Sequence, residues 1–391
     1  MTAVPYALPA DRILATHVGS LPRPDDLIDL LVARDRDRPY DAALLERRVA
    51  ESVTEIVRKQ VDCGVDIVSD GEMSKISYTN YVKHRLRGFG DPEPLRWMPS
   101  DLKAHPDYAA SMRANAKLPN LDPPACRGPI EPGDTGPLET DLANFRAAVD
   151  AAQSAGAFLN AASPGVVAHF MPNAYYETRD AYVLALGEAL AGEYEAIHKA
   201  GFLLQIDCPD LAMIRHMEFA GRSLDEFRHA AEVGVEALNH ATRNIPAEAM
   251  RMHICWGNYP GPHTHDVPFA AMADIVFRAR PAVVLFEGAN PQHGHQHEDL
   301  ADLPIPDGKI LAPGVIDTNT NHVEHPKLVA QRLCAYADIV GRERVQAGTD
   351  CGFSTLASLP RVWPSIVWEK LRALADGAAL ATDRLWARRA A

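Results

Sequence analysis

The chain has 391 residues, of which 47% are hydrophobic and 23% charged, a balance typical of a globular protein with a substantial core. Its formal net charge of −13 argues against a nucleic-acid partner, because nucleic-acid binding depends on a basic surface. Residues 1–11 lack the features of a secretory signal, and no apolar run is long enough to cross a membrane. We therefore expect a cytoplasmic protein that binds neither membranes nor nucleic acid.

Short apolar runs bounded by turn residues recur along the chain and predict eight β-strands, with helical periodicity between them. Strands that alternate with helices indicate a parallel sheet, and eight repeats predict a closed (β/α)8 TIM barrel, with residues 1–391 as a single α/β domain. The predicted strands are residues 13–17, 65–69, 158–162, 202–206, 250–254, 283–286, 310–313 and 345–348. The predicted helices include residues 40–63, 179–200, 223–239, 268–279, 325–340 and 359–376.

One connection, after the second predicted strand, is far longer than a βα loop. Residues 71–153 form this predicted insertion, and the stretch 85–138 within it is rich in Pro, Gly, Asn and Asp. Long irregular segments in compact domains are usually lids or binding loops, so we expect the insertion to cover the barrel mouth. A surface excursion or a contact between copies of the chain explains the same composition, and the sequence leaves the oligomeric state open.

Four residues with metal-ligating side chains, His253, Cys255, Glu287 and Cys351, lie at or just past the ends of predicted strands. His253 and Cys255 are two residues apart in a strand, so their side chains point to the same face. Imidazole, thiolate and carboxylate are ligands that Zn²⁺ takes in a tetrahedral shell. A Cys in a strand is by itself more often a small buried hydrophobe. The combination at three strand ends nevertheless predicts one zinc site.

Two thiolates and a carboxylate make the predicted shell anionic, which weakens the metal as a Lewis acid toward carbonyl groups. A substrate thiol bound to such a metal loses its proton yet stays nucleophilic, so alkyl transfer to sulfur is the expected reaction.

Several stretches spread over nearly the whole chain carry a resemblance to a known family. These stretches are THVGSLPRP (16–24), DIVSDGE (66–72), QID (205–207), HIC (253–255), Glu287, PGVID (313–317) and TDCG (349–352). In this order they resemble the catalytic C-terminal domain of cobalamin-independent methionine synthase. They are also similar to its relatives, the epoxyalkane:coenzyme M transferases, which are zinc-dependent thiol alkyltransferases.

The resemblance implies roles for individual residues. It implies that Zn²⁺ is held by His253, Cys255, Glu287 and Cys351. It also implies that the Gly19–Ser20 turn, Glu72 and Asp207 hold the amino-acid portion of a thiol such as homocysteine, although a rim carboxylate paired with a nearby Arg is the alternative for each acid. Catalytic roles are expected for Asp207, Glu72 and Asp317. The expected substrate-binding set is His17, Gly19, Ser20, Arg23, Glu72, Lys75, Asp207 and Asn319.

One departure from the family pattern concerns the proton donor. Methionine synthases carry Asp-x-His after the seventh strand, whereas this chain has Asp317-Thr318-Asn319, and an Asn side chain cannot act as a general acid. His322 or His325 is a candidate substitute. A His-rich tract, made of His293, His295 and His297 with His263 and His265 upstream, is either a metal-binding or proton-donating cluster or a polar rim loop.

The preferred function from the sequence is therefore an epoxyalkane:coenzyme M transferase-like enzyme, because opening an epoxide tolerates the missing His. Arg23 and Lys75 are the candidates to bind the sulfonate of coenzyme M, unless they are solvated charges. The alternative is methyl transfer to homocysteine or a related thiol from methyltetrahydrofolate or another donor. A third hypothesis, a decarboxylase related to uroporphyrinogen decarboxylase, is disfavoured by the ordered zinc set. A small thiol and an alkyl or methyl donor are the expected partners.

Overall fold

A computed structural model describes residues 11–114, 123–357 and 361–387 of the chain. The described residues contain eight strands, and six of them form one parallel sheet in the order first, fourth, fifth, sixth, seventh and eighth. The strands are β1 (Ile67–Ser69), β2 (Leu86–Pro92), β3 (Pro124–Pro132), β4 (Gly156–Ala162), β5 (Leu203–Asp207), β6 (Met250–Ile254), β7 (Val283–Phe286) and β8 (Ile310–Pro313).

The parallel sheet is built from the predicted strands. Every residue of β4, β5, β6 and β7 is buried, including polar residues such as Asn160, Asp207 and His253, so both faces of this part of the sheet are covered. Adjacent strands pair in register, as in Asp207 of β5 opposite His253 of β6. The sheet thereby aligns the carboxyl ends of its strands, and the side chains that follow them lie at one edge.

The first and last predicted strands, residues 13–17 and 345–348, differ from the prediction because they form no continuous ladder. They make isolated parallel bridges, Thr16 with Ile67 of β1 and Val345 with Leu311 of β8. Ala15 and Ala347 bridge to each other and so link the two edges of the sheet. The structure thus shows a six-stranded parallel sheet, and the closed eight-stranded barrel stays a prediction.

Helices cover the sheet, and several begin at a capping side chain. The Asp41 carboxylate accepts a hydrogen bond from the Leu44 amide, and Ser223 and Glu226 form a reciprocal capping box. The helices are α1 (Asp25–Asp35), α2 (Ala42–Asp62), α3 (Ser100–Ala104), α4 (Pro106–Ala114), α5 (Gly136–Ala152), α6 (Pro164–Phe170), α7 (Arg179–Lys199), α8 (Leu224–Ala241), α9 (Ala273–Val276), α10 (Gln296–Ala301), α11 (Pro326–Val340) and α12 (Pro364–Ala387).

Two helix predictions need correction. The predicted helix 268–279 is broken into a 3-10 turn at Phe269–Ala271 and the single turn α9, because Met272 between them leaves the helical conformation. The predicted helix 359–376 begins later and runs further, as α12, while residues 358–360 lie outside the described part of the chain.

The segment after β1 is more regular than its composition predicts. It contains an antiparallel pair of strands, β2 and β3, with the short helices α3 and α4 between them in the chain. The long helix α5 follows and packs on α2. The register of this strand pair shifts twice. At Gly88, whose φ is +104°, a Cβ would approach the Pro129 carbonyl oxygen to 2.5 Å. Such bulges remove the two-residue alternation by which a strand is recognised.

No helix in the described ranges of the chain combines the length and the apolar character needed to span a membrane.

Candidate active site

A cavity of about 290 Å³ lies at the carboxyl ends of the parallel strands, where barrel-type α/β proteins place their active sites. Its lining divides by chemistry into two groups. The polar lining includes Ser20, Glu72, Asp207, His253, Cys255 and Cys351. The apolar lining includes Tyr78, Leu102, Met112, Phe170, Met213 and Met217.

Two thiols and an imidazole converge within the polar lining. The Sγ atoms of Cys255 and Cys351 are 3.7 Å apart, and one donor atom from each of these residues and His253 lies within 4.8 Å of the others. Neither ring nitrogen of His253 has a hydrogen-bond partner although the ring is buried. Burial, reinforced by Arg251, lowers the His253 pKa to about 3, so the ring is neutral and keeps a lone pair. These donors fit a Zn²⁺ ion.

Glu287, the fourth predicted ligand, lies beside this cluster but outside its 4.8 Å group. One carboxylate oxygen accepts a hydrogen bond from the Trp256 amide at 2.8 Å, and the other accepts one from the Asn290 side chain at 2.8 Å. Burial and the neighbouring Cys255 raise the Glu287 pKa well above its usual value. A buried carboxylate next to a thiol is poised for a cation, because a cation would relieve both effects.

Asp350, which the sequence assigned no role, fixes the loop that follows Glu287. Its carboxylate accepts hydrogen bonds from the backbone amides of Gly288 and Ala289 at 2.8 and 2.7 Å. It also accepts bonds from the amide and side chain of Asn290, at 2.8 and 3.0 Å. Because Asp350 precedes Cys351, this contact sets the position of two predicted ligands relative to each other.

Two buried carboxylates, Glu72 and Asp207, share the cavity with the thiols. Glu72 has a φ of +59°, an uncommon backbone conformation for a residue with a side chain. Its Oε2 has no hydrogen-bond partner but lies 3.5 Å from Arg23 Nη2, so Glu72 has the nearby Arg that the alternative interpretation requires. Burial, partly offset by Lys75 and Arg23, raises the Glu72 pKa to about 7. Burial also raises the Asp207 pKa to about 6, against hydrogen bonds from Asn160 and Gln205.

Asn160 is a functional candidate that the sequence reasoning missed. Its side-chain amide donates to Asp207 Oδ2 at 2.9 Å and to the Val18 carbonyl at 2.8 Å, which orients the acid toward the cavity. The signal was available, since Asn160 is the polar residue in the otherwise apolar strand β4.

The two predicted sulfonate-binding cations, Arg23 and Lys75, do not line the cavity. The Arg23 guanidinium donates to the carbonyls of Glu72 and Ser354, at 2.9 and 2.8 Å, and is fully enclosed. Lys75 Nζ donates to the Asn160 carbonyl at 2.6 Å and lies 4.3 Å from the centre of the Tyr81 ring. From outside the cavity, both cations thus offset the negative charge of the nearby carboxylates and hold that side of the site in position.

Four other predicted site residues also stand away from the cavity lining. His17 hydrogen-bonds Gln60 at 2.7 Å. A Cβ on Gly19 would meet the Asn160 side chain. Both residues thus support the polar lining without being part of it. Asp317 Oδ1 accepts from the Asn319 amide at 2.7 Å, which closes a local turn. Asn319 Oδ1 is buried without a partner.

The His-rich tract separates into buried and exposed parts. His263 and His293 are buried and meet at Asp266, whereas His295 is exposed on the surface. His265 is bound to Asp101 of α3 at 2.7 Å. The predicted polar-rim interpretation therefore fits His295, and His263 and His293 belong to a second buried group.

Comparisons with known proteins agree with this geometry. No family model matches the chain. It is similar to methionine synthase from Thermococcus kodakarensis, 24% identical over 347 residues and covering 88% of both chains. It is also similar to methionine synthase from Saccharolobus islandicus, 22% identical over 375 residues and 95% of both chains.

Two solved structures share the fold. One is a B12-independent methionine synthase from Shewanella sp. W3-18-1 in complex with selenomethionine, at a TM-score of 0.73, 19% identity and coverage of 96% of this chain and 99% of that one. The other is a putative vitamin-B12 independent methionine synthase from Listeria monocytogenes, at a TM-score of 0.64, 19% identity and coverage of 94% and 98%.

The parallel sheet, the strand-end cavity and the buried thiol cluster define an α/β enzyme whose reactive groups lie at the strand ends. The chain is similar to methionine synthases along almost their whole length, and its fold is shared with B12-independent methionine synthases. The superfamily resemblance read from the sequence motifs is thereby confirmed.

Proposed function

We propose that the protein is a zinc-dependent methyltransferase that moves a methyl group to the thiol of homocysteine or a closely related amino thiol. The observation that carries this proposal is the shared cavity: the cluster of His253, Cys255 and Cys351 faces the same space as Glu72 and Asp207. One group suits a metal-bound thiolate, and the other suits an ammonium group. An amino thiol presents both.

His253, Cys255 and Cys351 would hold the zinc ion, with Glu287 as the fourth ligand after a small movement of its carboxylate. The bound metal supplies one piece of chemistry, the removal of the proton from the acceptor thiol. The Glu72 Oε2 atom, which has no hydrogen-bond partner, and the Asp207 carboxylate accept hydrogen bonds from the acceptor's ammonium. In the transfer, a sulfur–carbon bond forms as the methyl group leaves its donor, which keeps the bonding electron pair.

The coenzyme M transferase that the sequence favoured is not supported by these findings, which favour methyl transfer. The relatives reported above are methionine synthases, and none of them is a coenzyme M transferase or a decarboxylase. In addition, Arg23 and Lys75 are bound internally, so neither side chain meets a sulfonate placed in the cavity.

We place the methyl donor against the apolar lining of the cavity. Tyr78, Leu102 and Met112 of this lining come from the segment after β1, which supports the proposal that residues 71–153 cover the mouth of a single barrel domain formed by residues 1–391. The isolated bridges of Ala15 and Ala347 between the sheet edges support closure of that barrel. The Asn319 amide cannot act as a general acid and also lies outside the cavity lining, so a folate donor would need another proton source.

Zinc-edge X-ray absorption of the zinc-loaded protein, with and without thiol, tests the proposal. Homocysteine is expected to add one Zn–S contact at about 2.3 Å, whereas coenzyme M at the same concentration is expected to add none. Methionine formation with a panel of methyl donors, including methyltetrahydrofolate and sulfonium compounds, identifies the donor. A zinc spectrum that homocysteine leaves unchanged would contradict the proposal.

A further inference from the structure

A second buried group of metal-ligating side chains lies apart from the cavity lining. It consists of His263 and Asp266 in the loop after β6 and of His293 in the loop after β7. Asp266 Oδ2 lies 2.9 Å from His263 Nδ1 and 2.9 Å from His293 Nε2. Three donors from two loops thus converge on one point, and the side chains of Asp266 and His293 are only 3% exposed.

We propose that His263, Asp266 and His293 bind a second divalent transition-metal ion, Zn²⁺ in the first instance, that clips the two loops together. Two imidazoles and one carboxylate form a ligand set suited to first-row divalent metals. Ligands of a tetrahedral zinc ion lie about 3.3 Å apart, so the observed 2.9 Å separations require only a few tenths of an ångström of expansion. This inference does not rest on the proposed methyl transfer.

The outer nitrogen of His263 is held as in a metal-bound histidine, which almost always donates its second ring N–H to an acceptor. His263 Nε2 donates to the Tyr259 carbonyl at 3.0 Å. His293 Nδ1 lies 3.1 Å from Gln296 Nε2, which is a donor, so metal binding at His293 Nε2 requires the Gln296 amide to turn and present its Oε1, an atom that is buried without a hydrogen-bond partner. The inner nitrogens of both rings face Asp266.

The Asp266 carboxylate, which lies between the two rings, has one oxygen that accepts no hydrogen bond. Asp266 Oδ1 is buried and has no hydrogen-bond partner, although a buried carboxylate oxygen normally accepts at least one. The second oxygen can complete a four-coordinate shell if the carboxylate binds the metal through both atoms. The nearest recorded ion-pair neighbour of Asp266 Oδ1 is His216 Nε2 at 3.8 Å, beyond hydrogen-bond distance, so an ion at this point would supply the partner that this oxygen lacks.

The surroundings hold the triad rigidly before any ion binds. His263 has a φ of +55°, a strained conformation for a non-glycine residue, and its amide donates to Asp101 at 2.9 Å. The rings of Trp256 and His293 have centroids 4.4 Å apart, and those of Tyr259 and His263 4.5 Å apart. Such packing keeps the ligands in place and lowers the entropic cost of binding.

The position of the triad indicates a structural role. None of its three residues lines the cavity, whereas the loops that carry it directly follow Cys255 and Glu287, two predicted ligands of the first site. A metal that joins these loops would fix the spacing between those two ligands. We therefore assign the second ion to positioning and not to substrate chemistry.

A metal-free triad makes a different prediction. Without an ion both nitrogens of His263 face oxygen acceptors, so the ring must carry two protons and form an imidazolium–carboxylate pair with Asp266. The two states differ in metal content, which makes the choice measurable.

Metal analysis of the full-length protein, reconstituted with Zn²⁺ and dialysed, separates the sites. The wild type is expected to hold two zinc ions per chain, and Asp266→Asn and His293→Gln are each expected to hold one, with sulfur still among its ligands. The Cys255→Ser/Cys351→Ser double variant is expected to keep one ion in a shell of nitrogen and oxygen only. His295→Gln changes an exposed histidine two residues from His293 and serves as the matched control with unchanged content.

Either of two results would overturn the inference: one zinc per chain in the wild type with a sulfur-containing shell, or an Asp266→Asn variant with the same content as the wild type. Circular dichroism and melting temperature identify a variant that fails to fold, and His293→Gln then replaces Asp266→Asn. A missing zinc–sulfur contact in the wild type contradicts the proposed function alone, because the second site contains no sulfur.

Discussion

The two linings of the cavity differ in origin as well as in chemistry. The polar lining includes residues at the ends of parallel strands, such as Asp207 and His253, whose positions the sheet hydrogen bonds fix. The apolar lining includes Leu102 and Met112 from α3 and α4, which reach the cavity only because side chains tie them to distant loops. The proposed acceptor side of the cavity is therefore positioned by the sheet, whereas the proposed donor side is positioned by side-chain contacts between distant segments.

The largest effect is expected from removing a thiolate in the polar lining. Cys351→Ser should lower zinc affinity and methyl transfer together by more than about 100-fold, because even partners outside the ligand shell cost 10–100-fold when removed. Zinc content and initial rates measure both losses. Cys63→Ser, another buried cysteine but in contact with the Trp368 carbonyl, is the control and should keep both. Full activity of Cys351→Ser without zinc would remove the metal from the proposal.

An intermediate effect is expected at the ammonium-binding side of the polar lining. Glu72→Gln removes a charged hydrogen-bond acceptor, so the KM for homocysteine should rise about 10–100-fold while zinc content stays constant. Glu46→Gln, which alters an exposed glutamate on α2, should change neither. An unchanged KM in Glu72→Gln would show that the amino group binds elsewhere.

The pH dependence of that KM carries the same information. Because burial raises the Glu72 pKa to about 7, its carboxylate is largely protonated below pH 7 and accepts an ammonium poorly. The KM of the wild type should therefore fall as pH rises through about 7, with Asp207, at about 6, adding to the lower part of the change. Glu72→Gln should lose the upper part of this dependence.

The contrast between the linings also explains what the sequence predicted. Six strands and the convergence of His253, Cys255 and Cys351 followed from short apolar runs, because residues at the ends of parallel strands share one edge of the sheet. Asp350 escaped notice because its importance depends on contacts with residues 288–290, far away in the chain. Asn160 stands out as a polar residue in β4, but its partner Asp207 is equally far away and could not be read from the sequence. The periodicity of apolar residues does not indicate which distant side chains contact each other.

The segment after β1 escaped prediction for a related reason. Its antiparallel strand pair contains register shifts, β2 ends at proline, and β3 begins and ends at proline, so the two-residue alternation is lost. Its helices α3 and α4 are short, with 5 and 9 residues, and owe their position to the loop after β6 more than to local propensity. A single sequence predicted that the segment is long and near the mouth, but not that it supplies Tyr78, Leu102 and Met112 to the apolar lining.

The smallest effect is expected at the contact that holds the apolar lining in place. Buried Asp101 of α3 accepts hydrogen bonds from Tyr259 Oη at 2.7 Å and the His263 amide at 2.9 Å. Burial would raise its pKa, but bonds from His265, Tyr259 and Thr264 outweigh burial and lower it to about 2. Asp101→Asn replaces one accepting oxygen with a donor, so unfolding free energy should fall by about 1–3 kcal/mol and methyl transfer by a few-fold.

The sign of the pH effect distinguishes this contact from a general loss of packing. A carboxylate whose pKa is depressed by folding stabilises the protein above its unfolded pKa of about 3.9, and the contribution disappears as pH falls toward about 2. The stability difference between wild type and Asp101→Asn should therefore be constant at neutral pH and shrink below about pH 4. Denaturant unfolding measures it, with the exposed Asp107→Asn of α4 as the control. A difference independent of pH would mean that Asp101 supports the apolar lining by shape and not by charge.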